Sequence, residues 1–260
     1  MRVLVVADET TFYQPNFINE LVKDLKKKDF QIYGCYATKI DKKNNIEKYL
    51  ISKFYLLYFY EILFLSFKNI IYLSLSYLFP FGFKNSFFSV KSVFKKNKIK
   101  YFNIKSNINE EKYLNKIKEM KLDLIINSSS LIFSEEIIKI PSLACLNRHT
   151  SLLPSYRGLL PVIHAISNNE KVIGVTIHKM TAQIDGGEIY AQKEINISNN
   201  KKVLLIYEDA FSISSALVME AINNLISRKP PIPMLKEKSY FTFPTKLEWV
   251  NFRKNGGKFI

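Results

Sequence analysis

The sequence predicts an α/β protein: a mostly parallel sheet flanked by helices and followed by a short C-terminal appendage. Two short apolar runs, residues 2–7 and 31–37, enclose a stretch of helical periodicity at residues 15–28. A strand, a helix and a second strand at this spacing are typical of parallel sheets, because parallel neighbours need a crossover of helical size. The same alternation recurs at residues 98–127.

The composition suits one large domain, or one domain with a small addition, since 47% of the 260 residues are hydrophobic. We place the main domain at residues 1–229 and the appendage at residues 230–260. Pro230, Pro231 and Pro233 make the junction a stiff linker. The appendage is too aromatic to be disordered, so we expect it to dock on the main domain or on a partner subunit.

The first half of the main domain is expected to supply five strands: residues 2–7, 31–37, 98–104, 122–127 and a strand that starts at residue 142. The helix at residues 15–28 repeats apolar side chains at helical spacing. Asn109 is expected to cap a helix that ends near Met120, because asparagine is a preferred N-cap residue. A short helix at residues 134–140 leads to the fifth strand.

The second half is expected to complete the sheet. Pro161 opens a helix that runs to Ser167, and residues 172–179 form a strand. Residues 188–197 alternate apolar and polar side chains in part, which favours an antiparallel extension beside that strand. Residues 203–227 predict one long amphipathic helix.

Residues 49–83 are unusually rich in aromatic and aliphatic side chains. A membrane-spanning helix needs an apolar run of about 18 or more residues. Lys53, Glu61 and Lys68 interrupt this stretch, and Pro80 and Gly82 end it. We therefore expect two helices packed on the sheet, with an interfacial membrane surface or a dimer surface as the alternative.

The chain is strongly basic, with a formal charge of +15 and an isoelectric point near 9.5. Such a charge raises nucleic acid or an anionic membrane as partners. The lysines are spread along the chain without a basic and aromatic nucleic-acid motif, so no nucleic acid is expected, and peripheral membrane contact stays an alternative. A phosphorylated small substrate would benefit from the same electrostatic field.

The remaining compositional signals concern cellular compartment and metals. Residues 2–7 are followed at once by charged and polar residues, which indicates a buried strand rather than a signal peptide. Cys35 and Cys145 each lie in an apolar run, as expected for reduced, buried thiols in a cytoplasmic protein. The histidines are not joined by cysteines or carboxylates at metal-ligand spacing, so no metal site is expected.

Asn147, His149 and Asp185 form the candidate catalytic group. Strand side chains alternate between faces, so Asn147 and His149 point the same way and Arg148 points opposite, while Asp185 closes a second strand. An amide N–H stabilises a developing oxyanion, an imidazole accepts or relays a proton, and a carboxylate orients the imidazole. No serine or cysteine nucleophile is implied, which favours direct transfer between substrates. The alternative is a hydrogen-bonded core histidine.

The pattern around these residues resembles the formyltransferase family that uses 10-formyltetrahydrofolate. The matching residues, in order, are Asn147-x-His149-x-Ser151-Leu152-Leu153-Pro154, Tyr156-Arg157-Gly158-x-x-Pro161, Gly174-Val175-Thr176-x-His178 and Asp185-x-Gly187. The close match covers residues 122 to 197, and the combination of motifs is highly specific. Arg148 departs from the pattern, because the family usually has an apolar residue there.

The resemblance implies a Rossmann-like sheet, 10-formyltetrahydrofolate as the formyl donor, and catalytic roles for Asn147, His149 and Asp185. It also implies a folate pocket with one wall at Leu131, Ile132, Phe133 and Ile138 and another at Met180, Thr181 and Ala182. Tyr156 and Arg157 are the candidate acceptor contacts, since arginine suits bidentate phosphate binding. The alternative for Arg157 is that it ties down the loop.

Three classes of this family compete for the acceptor. Glycinamide ribonucleotide transformylases normally carry a glycine-rich phosphate loop after their first strand, and residues 8–12 offer none. Methionyl-tRNA formyltransferases normally add a C-terminal β-barrel, which the residues after Pro230 are too few to build. This favours a sugar N-formyltransferase that acts on the amine of a nucleotide-linked amino sugar, expected to be a homodimer and to serve lipopolysaccharide biosynthesis. The alternatives are a methionyl-tRNA formyltransferase-like enzyme and a catalytically silent binding protein of the same fold.

Overall fold

A computed structural model of the chain describes residues 1–10, 12–38, 57–235 and 237–260. The strands in this part are β1 (Arg2–Asp8), β2 (Gln31–Ala37), β3 (Lys100–Ile104), β4 (Leu124–Ser128), β5 (Ala144–His149), β6 (Arg157–Gly158), β7 (Val172–Lys179), β8 (Ile189–Asn196) and β9 (Tyr240–Phe241). The helices are α1 (Gln14–Lys26), α2 (Phe59–Leu78), α3 (Val90–Lys96), α4 (Glu111–Glu119), α5 (Glu135–Ile138), α6 (Pro161–Ser167), α7 (Val203–Ser212), α8 (Ser214–Ile226) and α9 (Lys246–Lys254).

Seven strands form one mostly parallel sheet in the order β3-β2-β1-β4-β5-β7-β8. β1 pairs in parallel with β2 and β4, β2 with β3, and β4 with β5, whereas β8 is antiparallel to β7. The predicted Rossmann-like fold class is confirmed, including the antiparallel extension at β8.

The described residues divide into two compact units, and the first consists of residues 1–10, 12–38 and 63–147. In its core, the five residues Val3 to Ala7 of β1 have no exposed surface. A strand without a polar face is expected where helices cover both sides of a parallel sheet. Cys35 and Cys145 are buried in this unit and neither forms a disulfide, as predicted for the thiols.

The second unit consists of residues 57–62, 148–235 and 237–260, and it includes the appendage. α9 packs on α6, and Trp249 and Phe252 are buried. β9 pairs in parallel with β6. The predicted docking of the appendage on the rest of the chain is therefore confirmed. His164 of α6 belongs to this core, since its Nδ1 lies 3.0 Å from Glu248 Oε1 and its Nε2 lies 2.9 Å from the backbone oxygen of Thr242.

Two predicted helix boundaries are wrong. The single helix expected at residues 203–227 is interrupted at Ile213, which ends α7 and precedes α8. Beside this residue the hydroxyls of Ser212 and Ser214 donate to the carbonyls of Asp209 and Ala210, so they compete with the helical backbone bonds.

Asn109 does not cap α4, whose N-cap residue is Glu110 without a side-chain hydrogen bond. Asn109 Nδ2 donates to the Ile132 carbonyl at 2.9 Å, and its Oδ1 accepts from the Ser134 N–H at 2.7 Å. Its side chain is therefore used in a long-range contact that a local pattern does not encode.

The aromatic stretch at residues 49–83 differs most from expectation. Residues 49–56 lie outside the described residues, and α2 begins shortly after them. The expected packing of this stretch into the core is wrong for α2, in which Glu61 is the only buried residue. By length and composition, α2 is also the one helix among the described residues that could cross a membrane.

Candidate active site

β5 carries two of the predicted catalytic residues on one face. Asn147 and His149 alternate along it with Arg148. Arg148 Nε donates a hydrogen bond of 2.7 Å to Ser214 Oγ, and its guanidinium carbon lies 3.8 Å from the centre of the Phe211 ring. Alternate strand residues leave on opposite faces, so Asn147 and His149 project away from these contacts. The predicted orientation of Arg148 is confirmed. Burial lowers its pKa, while the face of the aromatic ring favours the cation.

Asn147 is held by a second asparagine, Asn127, which stands opposite it in the β4–β5 pair. Asn127 Nδ2 donates a hydrogen bond of 2.9 Å to Asn147 Oδ1. The Asn127 amide is oriented in turn by Ser129, whose backbone N–H and hydroxyl donate to Asn127 Oδ1 at 3.1 and 2.6 Å. Because Asn147 Oδ1 accepts from Asn127, the N–H donors of Asn147 lie at the opposite end of its amide. An N–H donor is what a developing oxyanion requires.

His149 is buried, and polar groups lie near both of its ring nitrogens. Nε2 is 2.9 Å from the backbone oxygen of Tyr156, and Nδ1 is 3.6 Å from Asp185 Oδ2. A carbonyl oxygen only accepts, so the neutral ring carries its hydrogen on Nε2 and its lone pair on Nδ1. Burial lowers the pKa of His149 below its ordinary 6.5, although the Asp185 carboxylate opposes this shift. At neutral pH, Nδ1 is therefore the nitrogen able to take up a proton.

Asp185 lies close to two imidazoles. Its Oδ2 faces His149 and accepts a hydrogen bond of 2.9 Å from the Gly158 N–H, while its Oδ1 is 3.5 Å from His178 Nε2. Burial by itself raises the pKa of Asp185, but the two histidines and this N–H together hold it below the usual 3.8. The carboxylate is ionised at neutral pH and favours the imidazolium that forms when His149 takes up a proton.

Sequence reasoning missed two polar residues, Asn127 beside Asn147 and His178 beside Asp185. Asn127 was expected only as the last residue of a strand, and His178 only as part of a motif. Both are almost completely buried, at 2% and 1% exposure. The available signal was a polar side chain at the end of an otherwise apolar run, because a buried polar group needs a hydrogen-bonding partner.

Two further motif residues hold the loop that follows β5. Thr176 Oγ1 donates to the Ser151 carbonyl at 2.6 Å and accepts from the Leu153 N–H at 3.2 Å. A Cβ atom at Gly174 would lie 2.3 Å from Leu152 Cδ2 and 2.4 Å from the backbone oxygen of Lys193. The backbone oxygen cannot move aside as a side chain can, so this position requires glycine. These motif positions keep the loop against β7.

The two predicted acceptor contacts differ in their surroundings. The Tyr156 hydroxyl donates to Glu170 Oε1 at 2.8 Å, and its ring stacks on Phe241 at 5.2 Å between centroids. The backbone of Arg157 pairs with Tyr240 in the β6–β9 ladder, as the loop-fixing alternative predicts. The Arg157 Nε atom, however, is buried and makes no hydrogen bond to any described residue.

The residues of the predicted folate pocket lie in two loops and at one helix end. Leu131, Ile132 and Phe133 follow β4, Ile138 ends α5, and Met180, Thr181 and Ala182 follow β7. Leu131 and Phe133 are buried, whereas 46% of Ile132 is exposed. Ile132 therefore offers the largest accessible apolar surface among the three residues after β4.

Two carboxyl groups occupy the carboxyl end of β1. Asp8 Oδ2 accepts from the Ser130 N–H at 2.9 Å, and Glu9 Oε2 accepts from the Lys91 N–H at 3.1 Å. Burial raises the pKa of Asp8 to about 6 and that of Glu9 to about 7. Phosphate sites at such loops work through converging N–H donors and positive helix ends. The two carboxyl groups therefore disfavour a phosphate here.

The oriented amide of Asn147 and the pair of His149 and Asp185 each suit acyl transfer to an amine. An oriented amide offers a donor for a developing oxyanion, and a neutral imidazole beside a carboxylate offers a base. Across residues 1–10, 12–38, 57–235 and 237–260, no group of three or more His, Cys, Asp or Glu side chains is arranged to hold a metal ion.

The family model for formyl transferase matches residues 83–222. This range is more than half of the chain and includes Asn147, His149 and Asp185. The chain belongs to the formyltransferase family. The resemblance stated from the motifs is thereby confirmed.

Two relatives of known name match the chain over only part of their own length. The chain is 34% identical over 185 residues to the bifunctional polymyxin resistance protein ArnA of Wigglesworthia glossinidia brevipalpis, covering 65% of this chain and 28% of that protein. It is 35% identical over 131 residues to the methionyl-tRNA formyltransferase of Borrelia duttonii, covering 50% of this chain and 42% of that protein. The chain thus spans less than half the length of either relative.

Solved formyltransferase structures match over almost the whole chain. A sugar N-formyltransferase from Shewanella sp. aligns with a TM-score of 0.59 at 19% identity, covering 98% of this chain and 87% of that chain. The N-formyltransferase from Helicobacter canadensis in complex with folinic acid and dTDP-3-aminofucose aligns with a TM-score of 0.57 at 19% identity, covering 98% and 80%. At this identity the likeness establishes the fold and does not select the acceptor.

Proposed function

We propose that this formyltransferase moves a formyl group from 10-formyltetrahydrofolate to the amine of a nucleotide-linked amino sugar. The observation that carries the proposal is the pair of His149 and Asp185. The lone-pair nitrogen of the buried imidazole faces the carboxylate at 3.6 Å, on the strand that also carries Asn147. These three residues are the catalytic group of the proposal.

In the proposed mechanism, a neutral sugar amine attacks the formyl carbon. Asn147 donates its amide N–H to the formyl oxygen as that oxygen gains negative charge. His149 accepts the amine proton at Nδ1 and returns it to the leaving nitrogen, while Asp185 stabilises the intervening imidazolium. One carbon–nitrogen bond forms, one breaks, and the proton is conserved. Acid–base help of this kind contributes about 10²–10⁴-fold, and an oxyanion donor about 10²–10³-fold.

A folate donor is supported by the surface near the end of β4. Ligands of open α/β sheets bind outside the carboxyl ends of the strands. The partly exposed Ile132 follows such an end and offers an apolar side chain to a flat pterin ring. The remaining wall residues, Leu131, Phe133, Ile138, Met180, Thr181 and Ala182, keep their predicted roles within this proposal. The folinic acid in the Helicobacter canadensis complex is consistent with such a donor.

A nucleotide-sugar acceptor is supported by charged residues at two places, the end of β1 and Arg157. The carboxyl groups of Asp8 and Glu9 at the end of β1 disfavour the phosphate of a glycinamide ribonucleotide there. Arg157 is partly exposed, and a guanidinium suits bidentate contact with a ligand phosphate. Tyr156, beside it, positions the loop through Glu170 and Phe241.

A methionyl-tRNA acceptor is the second candidate, favoured by the net charge of +15 and by the methionyl-tRNA formyltransferase relative. Nucleic acids attract basic proteins through their phosphates. The two candidates differ in salt dependence, because a protein that contacts many phosphates loses affinity steeply as salt rises.

The deciding experiment incubates the full chain with 10-formyltetrahydrofolate and each acceptor class separately. The acceptors are nucleotide-linked 3-amino and 4-amino deoxysugars, methionyl-tRNA and glycinamide ribonucleotide. Tetrahydrofolate release and the mass of one added formyl group report turnover. Formylation of an amino sugar alone is expected, whereas formylation of methionyl-tRNA alone would replace the acceptor. Folate binding without turnover on any acceptor would favour the catalytically silent binding protein. The expected homodimer and the expected cytoplasmic location stay predictions.

A further inference from the structure

Helix α2 exposes apolar side chains along its whole length. Of its 20 residues, Glu61 alone is buried. Its most exposed large side chains are Tyr77 at 87%, Phe59 at 75%, Leu78 at 65%, Phe67 at 64% and Ile70 at 61%. The following loop adds Phe81 and Phe83, both about half exposed. Monomeric soluble proteins rarely expose contiguous apolar patches of more than a few hundred Å², so a surface of this kind indicates an interaction site.

The folded chain holds α2 at its start. Glu61 accepts hydrogen bonds from Arg253 Nη1 at 2.9 Å and from the Phe259 N–H at 2.8 Å. Burial raises the pKa of Glu61, but Arg253 and the backbone N–H donors outweigh this effect and lower it. The first turn of the helix is therefore fixed by an ionised, buried carboxylate.

The middle of α2 also contacts folded parts of the chain. The Tyr72 ring lies 5.5 Å from the Phe12 ring and 5.7 Å from the Phe88 ring, and Lys68 Nζ lies 5.3 Å from the centre of Phe12. Because the middle of α2 packs against other parts of the chain, lipid cannot surround the helix there. α2 is thus long enough to cross a membrane but is held along the protein, which suits a helix lying in the plane of a membrane surface.

Charge identifies the kind of membrane. Between Glu61 and Glu110 the sequence contains eight lysines and no aspartate or glutamate. Lys68 lies on α2 itself, and Lys84 Nζ lies 5.4 Å from the centre of the exposed Phe83 ring. The lysines that follow are all exposed, at positions Lys91, Lys95, Lys96, Lys98, Lys100 and Lys105. Lysines that follow an exposed apolar helix along the chain, with no acids among them, complement anionic lipid headgroups.

A second copy of the chain is the competing occupant, and charge disfavours it. Each chain carries a net charge of +15, so pairing two copies through this lysine-rich segment brings like charges together. A homodimer would then form through another face.

We propose that α2, the loop after it and the lysines up to Lys105 form a docking surface for an anionic membrane. The exposed apolar side chains of α2 enter the boundary between headgroups and acyl chains, and the lysines contact the headgroups. The proposal stands independently of which acceptor the enzyme formylates.

Co-sedimentation of the full chain with lipid vesicles tests the proposal. The chain is expected to bind phosphatidylcholine vesicles that contain ~30% phosphatidylglycerol and to bind pure phosphatidylcholine vesicles at least about tenfold more weakly. The double variant Phe67→Ser, Tyr77→Ser is expected to lower binding to the anionic vesicles by about tenfold or more. The matched control Leu247→Ser, at a residue that is 67% exposed on α9, should bind like the parent.

A charge comparison separates local from global electrostatics. The variant with Lys95, Lys96 and Lys98 replaced by glutamine should bind about tenfold more weakly. The variant with Lys171, Lys193 and Lys229 replaced by glutamine has the same net charge and exposed positions elsewhere, and should bind nearly like the parent. Thermal melting confirms that each variant is folded. The proposal is overturned if the parent does not bind anionic vesicles, if both lysine variants lose binding equally, or if Phe67→Ser, Tyr77→Ser dissociates a dimer without changing vesicle binding.

Discussion

Replacement of Asp185 by asparagine tests the proposed catalytic base most directly. The change keeps the shape of the side chain and removes one charge 3.6 Å from His149 Nδ1. At an effective dielectric constant of about 20, two unit charges at this distance interact by about 4 kcal/mol. Without this carboxylate, which favours the charged imidazole, the pKa of His149 should fall.

Two measurements follow this change. The pKa of His149 is obtained by NMR titration of its ring carbon, with the His149→Asn variant providing the assignment. The parent pKa lies below 6.5, so its turnover should rise with pH through that pKa and then level off. In Asp185→Asn the acid limb should move to lower pH, and the plateau of kcat should fall by about 10²-fold or more, because the imidazolium is no longer stabilised.

Glu248 provides a matched control outside the site. Its carboxylate lies 3.0 Å from His164 Nδ1, so Glu248→Gln removes a similar charge from a different histidine and should leave kcat unchanged. Once His149 is replaced, Asp185→Asn should have little further effect, because residues that act as a unit are not additive. An unchanged His149 pKa in Asp185→Asn, or near-normal turnover in His149→Asn, would show that this pair is not the catalytic base. So would melting curves showing that the variants are unfolded, because the pair would then be structural.

Four further substitutions test the residue beside Asn147, the predicted pterin wall, the predicted acceptor contact and a buried carboxyl group. Asn127→Val removes the donor that orients the Asn147 amide, and kcat should fall about tenfold or more with little change in either KM; unchanged kcat would show that Asn147 is oriented without it. Ile132→Asp places an unpaired charge in the predicted pterin wall and should weaken folate binding by titration, whereas an unchanged affinity would mean that the pocket is misplaced. Arg157→Ala should raise KM for the nucleotide sugar more than for folate, and equal effects would favour the loop-fixing role. Glu9→Gln removes a carboxyl group whose pKa in the folded protein, about 7, exceeds the ordinary 4.5. The folded parent binds more protons between these values and loses stability as pH rises through them, so the variant should gain about 3 kcal/mol over the parent by pH 8 and almost nothing at pH 4 in denaturant titrations.

Local sequence patterns determined most of the sheet and the centre of the candidate site. Apolar runs of strand length predicted β1, β2 and β7 within one residue of their observed limits, because a strand buried between helices is apolar on both faces. Strand alternation predicted that Arg148 leaves β5 on the face opposite to His149. The resemblance to the family predicted that Asp185 lies near His149, although 36 residues separate them along the chain. A family pattern can do this because it carries information about tertiary contacts.

Tertiary structure alone decided the remaining features. Asn127 meets Asn147 because the register of β4 and β5 aligns them, and no pattern within either strand encodes that register. The long helix predicted at residues 203–227 is interrupted next to Ser214. The Ser214 hydroxyl donates a hydrogen bond to the carbonyl of Ala210 and accepts one from the buried Arg148. The apolar composition of α2 predicted a core helix. Composition, however, gives only the hydrophobicity of a segment and does not show whether that segment is buried. Whether the chain itself covers that segment depends on the packing of all the other elements, and α2 is left exposed.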